Sequence, residues 1–590
     1  MINPRKSTHL DRLRKSMDWS DQQLTVFRDQ RLETVREQVG KWYGANGADD
    51  ERPINKLRQA KQAYGRQLAA NNPNVLITTD YPQLKPLART YRQVMNRILR
   101  ELEYQITLAA VVDDGLDMVG IAKTGIERKR VASHVGFLHD PGMPYFDRVS
   151  LDDFVLDMNV TQFDRCRYVG DRYWMTMDEV KDSPYFNPRS KGKITPDVRE
   201  PYGEDGQELV ANISITPTHQ DEDVEDVVQV CDVWLRHENL LITVPVRQPS
   251  VLLFDGEYDG PEGGPYDLLG FGRVPDQLMP FAPLQLLFDL HRLENALFRK
   301  LSNQAEGQKR FVAMASGSPE DAETAEKVKD GQLAIFTPGA MQSIQEKSAG
   351  GVDGGNAAFF LSVDQQANKM GGNLDLINGL GPQSDTATQD KMLMQSASAM
   401  LQELVDITTT FATKTIEKLG WYYWYHPTFS MDVADQIPGT DLVDVVRFTP
   451  QMREGDWAQH TFDVVPYSMR HKSPMERLAT LRQFMSETMP AFQMMQAQGI
   501  DISWQVYADL YAQYSGVNDL KDVLTYTTPT ESAGEPVGEA PARATHTIRE
   551  NVRVNRPGAT PQGQDQAMQQ LFMGGAQPAQ RESLLRAPTG

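Results

Sequence analysis

Apolar residues recur every third or fourth position through most of the first 112 residues and again from 283 to 419, with strand-like segments between. Leu24, Phe27, Leu32, Val35 and Val39 predict a helix over 18–45, with Asp18 or Ser20 as its cap and Gly44 near its end. A second helix is predicted over 54–70, stopped by Asn71-Asn72-Pro73, and then a short strand over 75–78. Leu87, Tyr91, Val94, Ile98, Leu102, Ile106 and Ala109 predict one long helix over 86–112. Glycines at 115, 120 and 125 then bring the chain into a strand. The run from Gly120 to Gly125 invites comparison with a phosphate loop and fails it, because that loop needs a Gly followed four residues later by Gly-Lys-Ser/Thr. A close crossing of helix on strand is the better account of these small residues.

Strand signals follow at 131–137, 154–156, 167–175, 227–235, 240–246 and 251–254, β-branched or aromatic and bounded by Gly, Pro and Asp. A polar interruption over 183–225 predicts a long loop. Its cluster of Asp221, Glu222, Asp223, Glu225 and Asp226 lacks the turn Gly and ligand spacing of an EF-hand and reads as solvated charge. Asp152, Asp153 and Asp157 either cap turns or act as a metal-binding or acid–base group. No neighbouring His or Gly-built pocket accompanies them, which favours turns.

The most distinctive stretch runs from 280 to 427. Leu286, Leu290, Leu293, Leu297 and Leu301 form a heptad seam on a helix over 283–304, with Asp289, Arg292, Asn295, Arg299 and Lys300 opposite. His291 and Glu294 have the i, i+3 spacing of a di-iron bundle, but no second pair exists, so a solvent-side ion pair is expected. A Gly-bounded αβ insert follows, with strands at 311–315, 333–336 and 341–346 and a helix at 319–329. A second helix over 357–378 carries Phe360, Val363, Ala367, Met370, Leu374 and Ile377 at helical spacing. Gly371-Gly372 inside it costs about 1 kcal/mol per Gly relative to Ala and either kinks the helix or admits a close neighbour. The breaker Gly379-Leu380-Gly381-Pro382 precedes a long helix over 388–419, roughly 45 to 50 Å in length, ended by the aromatic run 421–425. Short strands at 443–448 and 460–465 and a helical piece over 473–514 complete the ordered pattern, and the Pro/Gly/Gln-rich tail from 527 predicts disorder.

A chain of 590 residues implies several packed regions. No run reaches the roughly 18 apolar residues of a membrane span, and the N-terminus has no apolar core behind Arg5 and Lys6, so neither membrane insertion nor secretion is expected. Two cysteines, Cys166 and Cys231, exclude a disulfide framework and read as small core residues on strands. A net charge of −20 argues against a protein that grips nucleic acid tightly over its whole surface. HExxH, CxxC and nucleophile-elbow patterns are absent, and neither cofactor nor catalysis is expected; a metal-dependent hydrolase using Asp152, Asp153 and Asp157 is the alternative.

Three stretches carry a family resemblance: "VSLDDFVLDMNVTQFDRCRYVGDRYWMTMDEVK" (149–181), "MPFAPLQLLFDLHRLENALFRKLSNQ" (279–304) and "LDLINGLGPQSDTATQDKMLMQSASAML" (374–401). In wording and order they resemble the portal, or head-to-tail connector, proteins of tailed bacteriophages, closest in layout to those of short-tailed phages. The likeness covers roughly residues 20–525 and lies in layout more than in fixed motifs. The C-terminal helices are too short for the long barrel some relatives carry. The resemblance implies a mixed α+β subunit of a closed ring, in general a dodecamer. It assigns 1–280 to N-terminal helices and a β-rich wing, 281–306 to a first stem helix, 307–355 to a clip and 356–378 to a second stem helix. A tunnel loop at 379–387, a long wing helix with wing strands at 388–470, crown helices at 471–526 and a tail at 527–590 complete it.

On that resemblance Leu286, Leu290, Leu293, Leu297, Phe360, Val363, Met370 and Leu374 pack the stem, and Gly379, Leu380, Gly381, Pro382, Gln383, Ser384 and Asp385 line the channel. Lys300, Lys309, Arg310 and Lys369 are either DNA-facing and clip-junction cations or ordinary surface charge. Implied partners are further copies of the chain, terminase, major capsid and scaffolding proteins, tail adaptors and double-stranded DNA. The implied location is the head–tail vertex of the virion, with assembly in the host cytoplasm. Twelve copies at −20 carry about −240 formal charges, and a conduit that repels phosphate lets DNA slide.

Overall fold

A computed structural model describes residues 7–41, 51–127, 131–133, 136–138, 142–197, 226–248, 250–314, 344–349, 351–377, 387–436, 443–453, 455–465, 468–469, 474–489, 507 and 510–511. The fold is mixed α+β, with open antiparallel sheets and no closed barrel among the described residues. Residues 1–503 with 514–516 make one compact unit, which holds every element below. Of the second unit, 504–513 and 517–590, Tyr507, Leu510 and Tyr511 are described, with the two tyrosine rings 6.1 Å apart.

The first helix, α1 (Ser7–Val39), begins well before the expected Asp18 or Ser20 cap, because Leu10 and Leu13 extend its apolar stripe onto a sheet. It stops short of Gly44, at Gly40, whose φ of +69° turns the chain out while its N–H still reaches Arg36 O at 3.1 Å. Helix α2 (Lys56–Leu68) is capped by Asn55, whose side chain accepts from Arg58 N. Strand β1 (Val75–Thr78) lies where the pattern put it.

The predicted helix over 86–112 is two helices, α3 (Lys85–Glu101) and α4 (Tyr104–Asp117), broken at Glu103 with φ +49°. Tertiary anchors decide the break. Tyr104 stacks on Phe146 with centroids 4.4 Å apart, and its hydroxyl meets Thr415 Oγ1 at 2.7 Å. Asn72 Oδ1 accepts from Gln105 N at 3.0 Å and holds the new N-terminus.

Strand β2 (Gly120–Glu127) crosses α4 so closely that a Cβ on Gly120 would lie 2.2 Å from Val111 O, the helix–strand crossing that the small residues predicted. Strands β3 (Val131–Ser133) and β4 (Gly136–Leu138) form a hairpin where one strand was expected. Strands β5 (Met143–Arg148), β6 (Phe154–Leu156) and β7 (Tyr168–Thr176) follow, then short helix α5 (Met177–Asp182) just ahead of the expected loop and α6 (Pro188–Lys191) inside it. Next come β8 (Val227–Leu235), β9 (Leu240–Pro245), β10 (Phe254–Glu257, three residues later than expected) and β11 (Tyr266–Leu269). They make an antiparallel five-stranded sheet in the order β10-β9-β8-β7-β6 and a three-stranded sheet β11-β2-β5. Helix α1 runs along the larger sheet: Leu24 is buried there, and Arg28 donates to Leu151 O and Phe154 O at 3.1 Å each. Cys231 sits on β8 as expected, whereas Cys166 is buried in a loop beside a 3₁₀ turn instead of on a strand.

Helix α7 (Gln285–Glu306), the hairpin β12 (Lys309–Met314) with β13 (Ile344–Ala349), and helix α8 (Gly354–Met370) form the next layer. The expected single helix over 357–378 ends at Met370. Gly372 (φ +73°) and Asn373 (φ +60°) turn the chain, Asn373 N reaches Asn368 O at 2.8 Å, and buried Tyr64 donates to Gly371 O at 2.8 Å. A short helix α9 (Leu374–Ile377) follows, with Leu374 in the core. Helix α10 (Ala387–Tyr425), 39 residues long, extends through the aromatic run expected to close it. Strands β14 (Met431–Gln436), β15 (Val443–Phe448) and β16 (Thr461–Val464) and helix α11 (Pro474–Thr488) complete the unit.

Strand β16 pairs antiparallel with β1, Val75 opposite Val464, so the C-terminal part closes the N-terminal layer. The main core gathers α2, α3, α4, α10 and these strands around Tyr91, which stacks on Phe448 at 5.4 Å and donates to Gly420 O at 2.6 Å. Among the described residues no helix is long and apolar enough to cross a membrane. The expected helix 319–329, the strand 333–336, the acidic cluster 221–225, most of the helical piece beyond 489 and the tail from 527 lie outside the described residues.

Candidate functional site

Helices α7 and α8 run antiparallel. Asp353 N, at the start of α8, donates to Gln304 Oε1 near the end of α7 at 3.1 Å, and Phe298 faces Phe360 with centroids 6.1 Å apart. The hairpin β12–β13 caps the far end, with Lys309 opposite Ala349 and Arg310 opposite Ser348. Helix, strand pair and returning helix therefore stand in the order expected from the pattern, although 315–343 are outside the described residues.

The side of α7 that packs on the body of the protein is polar. His291, Glu294 and Asn295 are buried with Leu287, which overturns the expectation of His291 and Glu294 as a solvent-side pair and of Asn295 on the outer face. Leu287 joins the main hydrophobic core, and charged partners from α1, α2 and α8 surround the polar residues beside it. Asn295 bolts α7 to the segment before α2, accepting from Ile54 N at 3.2 Å and donating to Ile54 O at 2.8 Å. Glu37 holds Arg52 through both guanidinium arms, Arg292 Nε at 3.0 Å, and lies 3.6 Å from His291 Nε2. Burial pushes the Glu37 carboxyl upward, but hydrogen bonds from His291, Arg52 and Arg292 outweigh it and hold it well below the usual carboxylate range.

Lys56 Nζ sits 2.6 Å from Asp364 Oδ1, and the carboxyl of Glu294 is buried beside them with no hydrogen-bond partner among the described residues. Burial, then the neighbouring Asp364, raise Glu294 to about 7. Asp364 is lowered, because the hydrogen bond and charge of Lys56 outweigh its burial.

The leucine seam is turned away from this buried face by roughly a quarter turn of the helix. Leu286 and Leu293 are 43% and 40% exposed, and Leu290 and Leu297 are half-buried. On α8, Val363 is buried and Phe360 half-buried, while Phe359 and Met370 stand 52% and 37% exposed. Lys300 and Lys369 are exposed; the side chains of Lys309 and Arg310, and all of Gly379, Leu380, Gly381, Pro382, Gln383, Ser384 and Asp385, lie outside the described residues.

Two of the three carboxylates of the enzymatic alternative, Asp152 and Asp157, are already partnered. Asp152 takes Arg31 Nη1 at 2.6 Å, and Asp157 takes Arg167 Nε at 2.7 Å together with the backbone N–H of Asn159 at 3.2 Å, a turn contact of the expected kind. Asp153 is raised to about 6 by burial and by Asp152. Among the described residues no group of three or more His, Cys, Asp or Glu is placed to hold a metal ion. Lys123, in the stretch compared with a phosphate loop, is on a strand and bridges Asp171 at 2.7 Å and Asp232 at 3.2 Å. Sequence reasoning missed Glu37, Arg52, Lys56 and Asp364. The available signal was Glu294 and Asp364 at positions where their helices show apolar neighbours three and four residues away. No protein-family model and no curated protein matches this chain.

Proposed function

We propose that the chain is the subunit of a phage portal: a closed ring at one capsid vertex through which DNA is packaged and ejected. One observation carries the proposal. Helix α7 buries His291, Glu294 and Asn295 beside Leu287, while Leu286 and Leu293 on α7 and Phe359 and Met370 on α8 are exposed. Leu286 with Leu293, and Phe359 with Met370, each share one side of their helix, and exposed apolar stripes of this kind mark protein–protein contacts. The outward residues of α7 and α8 differ, so neighbouring copies would meet through unlike faces, the heterologous contact that generates rings.

In this reading the two helices are stem, β12–β13 belongs to the clip that docks terminase, and 379–385 form the tunnel loop. Lys300, Lys309, Arg310 and Lys369 are the cations nearest the path of DNA. Capsid and scaffolding proteins surround the wing, tail adaptors follow packaging, and the virion vertex is the final location. The subunit performs no catalysis; a partner ATPase drives translocation.

Rotationally averaged electron micrographs of purified protein test the proposal. Annular particles with a central opening are expected, and a persistent monomer at micromolar concentration counts decisively against it. Deleting Gly379 to Asp385 is expected to leave rings intact and impair packaging or retention of DNA.

A further inference from the structure

We propose that an arginine-lined cleft on α3 binds the phosphate backbone of duplex DNA. The cleft, about 730 Å³, lies between the exposed side of α3, the segment 72–74 and β14. Arg89, Arg92, Arg97 and Arg100 line it, and no acidic side chain does. In a chain of net charge −20 this is a local reversal of sign.

Their spacing follows the helix. Arg89, Arg92 and Arg100 fall at i, i+3 and i+11, so they share one side of α3 over about 16 Å. That length matches about five base pairs at 3.4 Å rise along a strand. Arginine suits the role, because its planar fork donates two parallel bonds to a phosphate. Arg97 is held in place, paired with Glu101 at 2.8 Å and donating to Asp432 O at 2.9 Å. Among the described residues Arg92 and Arg100 make no ion pair, and Arg100 Nε is steadied by Asn96 O at 3.1 Å.

The lining also selects the class of partner. It contains no aromatic ring on which an unpaired base could stack, which disfavours single strands. Its apolar members are Pro73, Ala434 and the buried Val433, too little for insertion into lipid. A regular row of fixed cations and amides is complementary to the regular phosphates of a duplex. The inference does not rest on the ring reading, since every lining residue comes from one subunit.

Fluorescence anisotropy of a labelled 20-base-pair duplex, titrated with the full chain at several salt concentrations, tests it. The variants are Arg92→Gln with Arg100→Gln, and a control pair far from the cleft, Lys181→Gln with Arg189→Gln, each checked by thermal melting. Wild type and control are expected to bind alike, with salt-dependent affinity. The cleft variant is expected to lose about tenfold or more in affinity at low salt, and its log–log salt slope to fall in magnitude by about 1.8. Absence of binding by wild type, or equal binding by the two variants, overturns the inference. Preferential binding of single strands, or of phosphatidylserine vesicles with the same arginine dependence, overturns duplex DNA as the partner. A chain that forms no ring yet binds duplex through Arg92 and Arg100 removes the portal reading and leaves this one standing.

Discussion

Lys56 on α2 and Asp364 on α8 form an ion pair, Nζ 2.6 Å from Oδ1, beside the buried carboxyl of Glu294 on α7. Burial and the neighbouring Asp364 both disfavour the charged form of Glu294 and raise its titration. Lys56 thus ties α8 to α2.

The two carboxyls make stability depend on pH. Glu294 titrates at about 7 in the folded chain against an ordinary 4.5, so the folded form holds the proton more tightly than the unfolded form. Its contribution is complete below pH 4.5 and is lost as pH rises through 7. Asp364, held down, works in the opposite direction and loses its contribution on acidification below its own ordinary range. Glu294→Gln removes the upper titration. Denaturant unfolding is expected to show wild type losing on the order of 3 kcal/mol between pH 5 and pH 8 that the variant keeps; parallel curves would contradict the raised titration of Glu294.

Leu286→Asp with Leu293→Asp puts charge on the outward seam. Since both positions are exposed in the single subunit, its own melting is expected to move by no more than about 0.5 kcal/mol per site. Sedimentation velocity is expected to show collapse from a large assembly to monomer. An assembly of unchanged size would mean that the seam is not a subunit contact.

Gly120→Ala places a methyl 2.2 Å from Val111 O, inside any real Cβ contact. Helix α4 or strand β2 must move apart, at an expected cost of about 3 kcal/mol in denaturant unfolding. A shift under about 1 kcal/mol would show that the crossing is slack.

Arg453 closes α10. Its guanidinium donates to Trp424 O at 2.7 Å, to His426 O at 2.6 Å and to Phe429 O, satisfying carbonyls that the helix end leaves without partners. Arg453→Met keeps much of the packing over Phe448 and removes every donor. A loss of about 2 to 4 kcal/mol is expected, with earlier hydrogen exchange at the end of α10 than elsewhere. Uniform exchange with unchanged stability would show that water replaces the arginine without cost.

Periodicity alone located the strands over 75–78, 154–156 and 227–235, the antiparallel helices around an insert, and the long helix ending in aromatics. Each of these is encoded locally: alternation for strands, threes and fours for helices, Gly and Pro for ends. The leucine seam was legible for the same reason, since i and i+7 positions share a helix side whatever lies beside them.

What surrounds a helix is not local. The break at Glu103 follows from Tyr104 finding Phe146 and Thr415, and nothing between 86 and 112 announces it. The end of α8 at Met370 was half legible in Gly371-Gly372; Tyr64, more than 300 residues away in sequence, fixes the outcome. Sequence by itself determined which side of α7 is apolar, because that depends only on 100° per residue. Only the tertiary structure decided that this side points away from the subunit while His291, Glu294 and Asn295 point in, because burying charge is tolerable only where Glu37, Lys56 and Asp364 arrive from distant segments to pair with it.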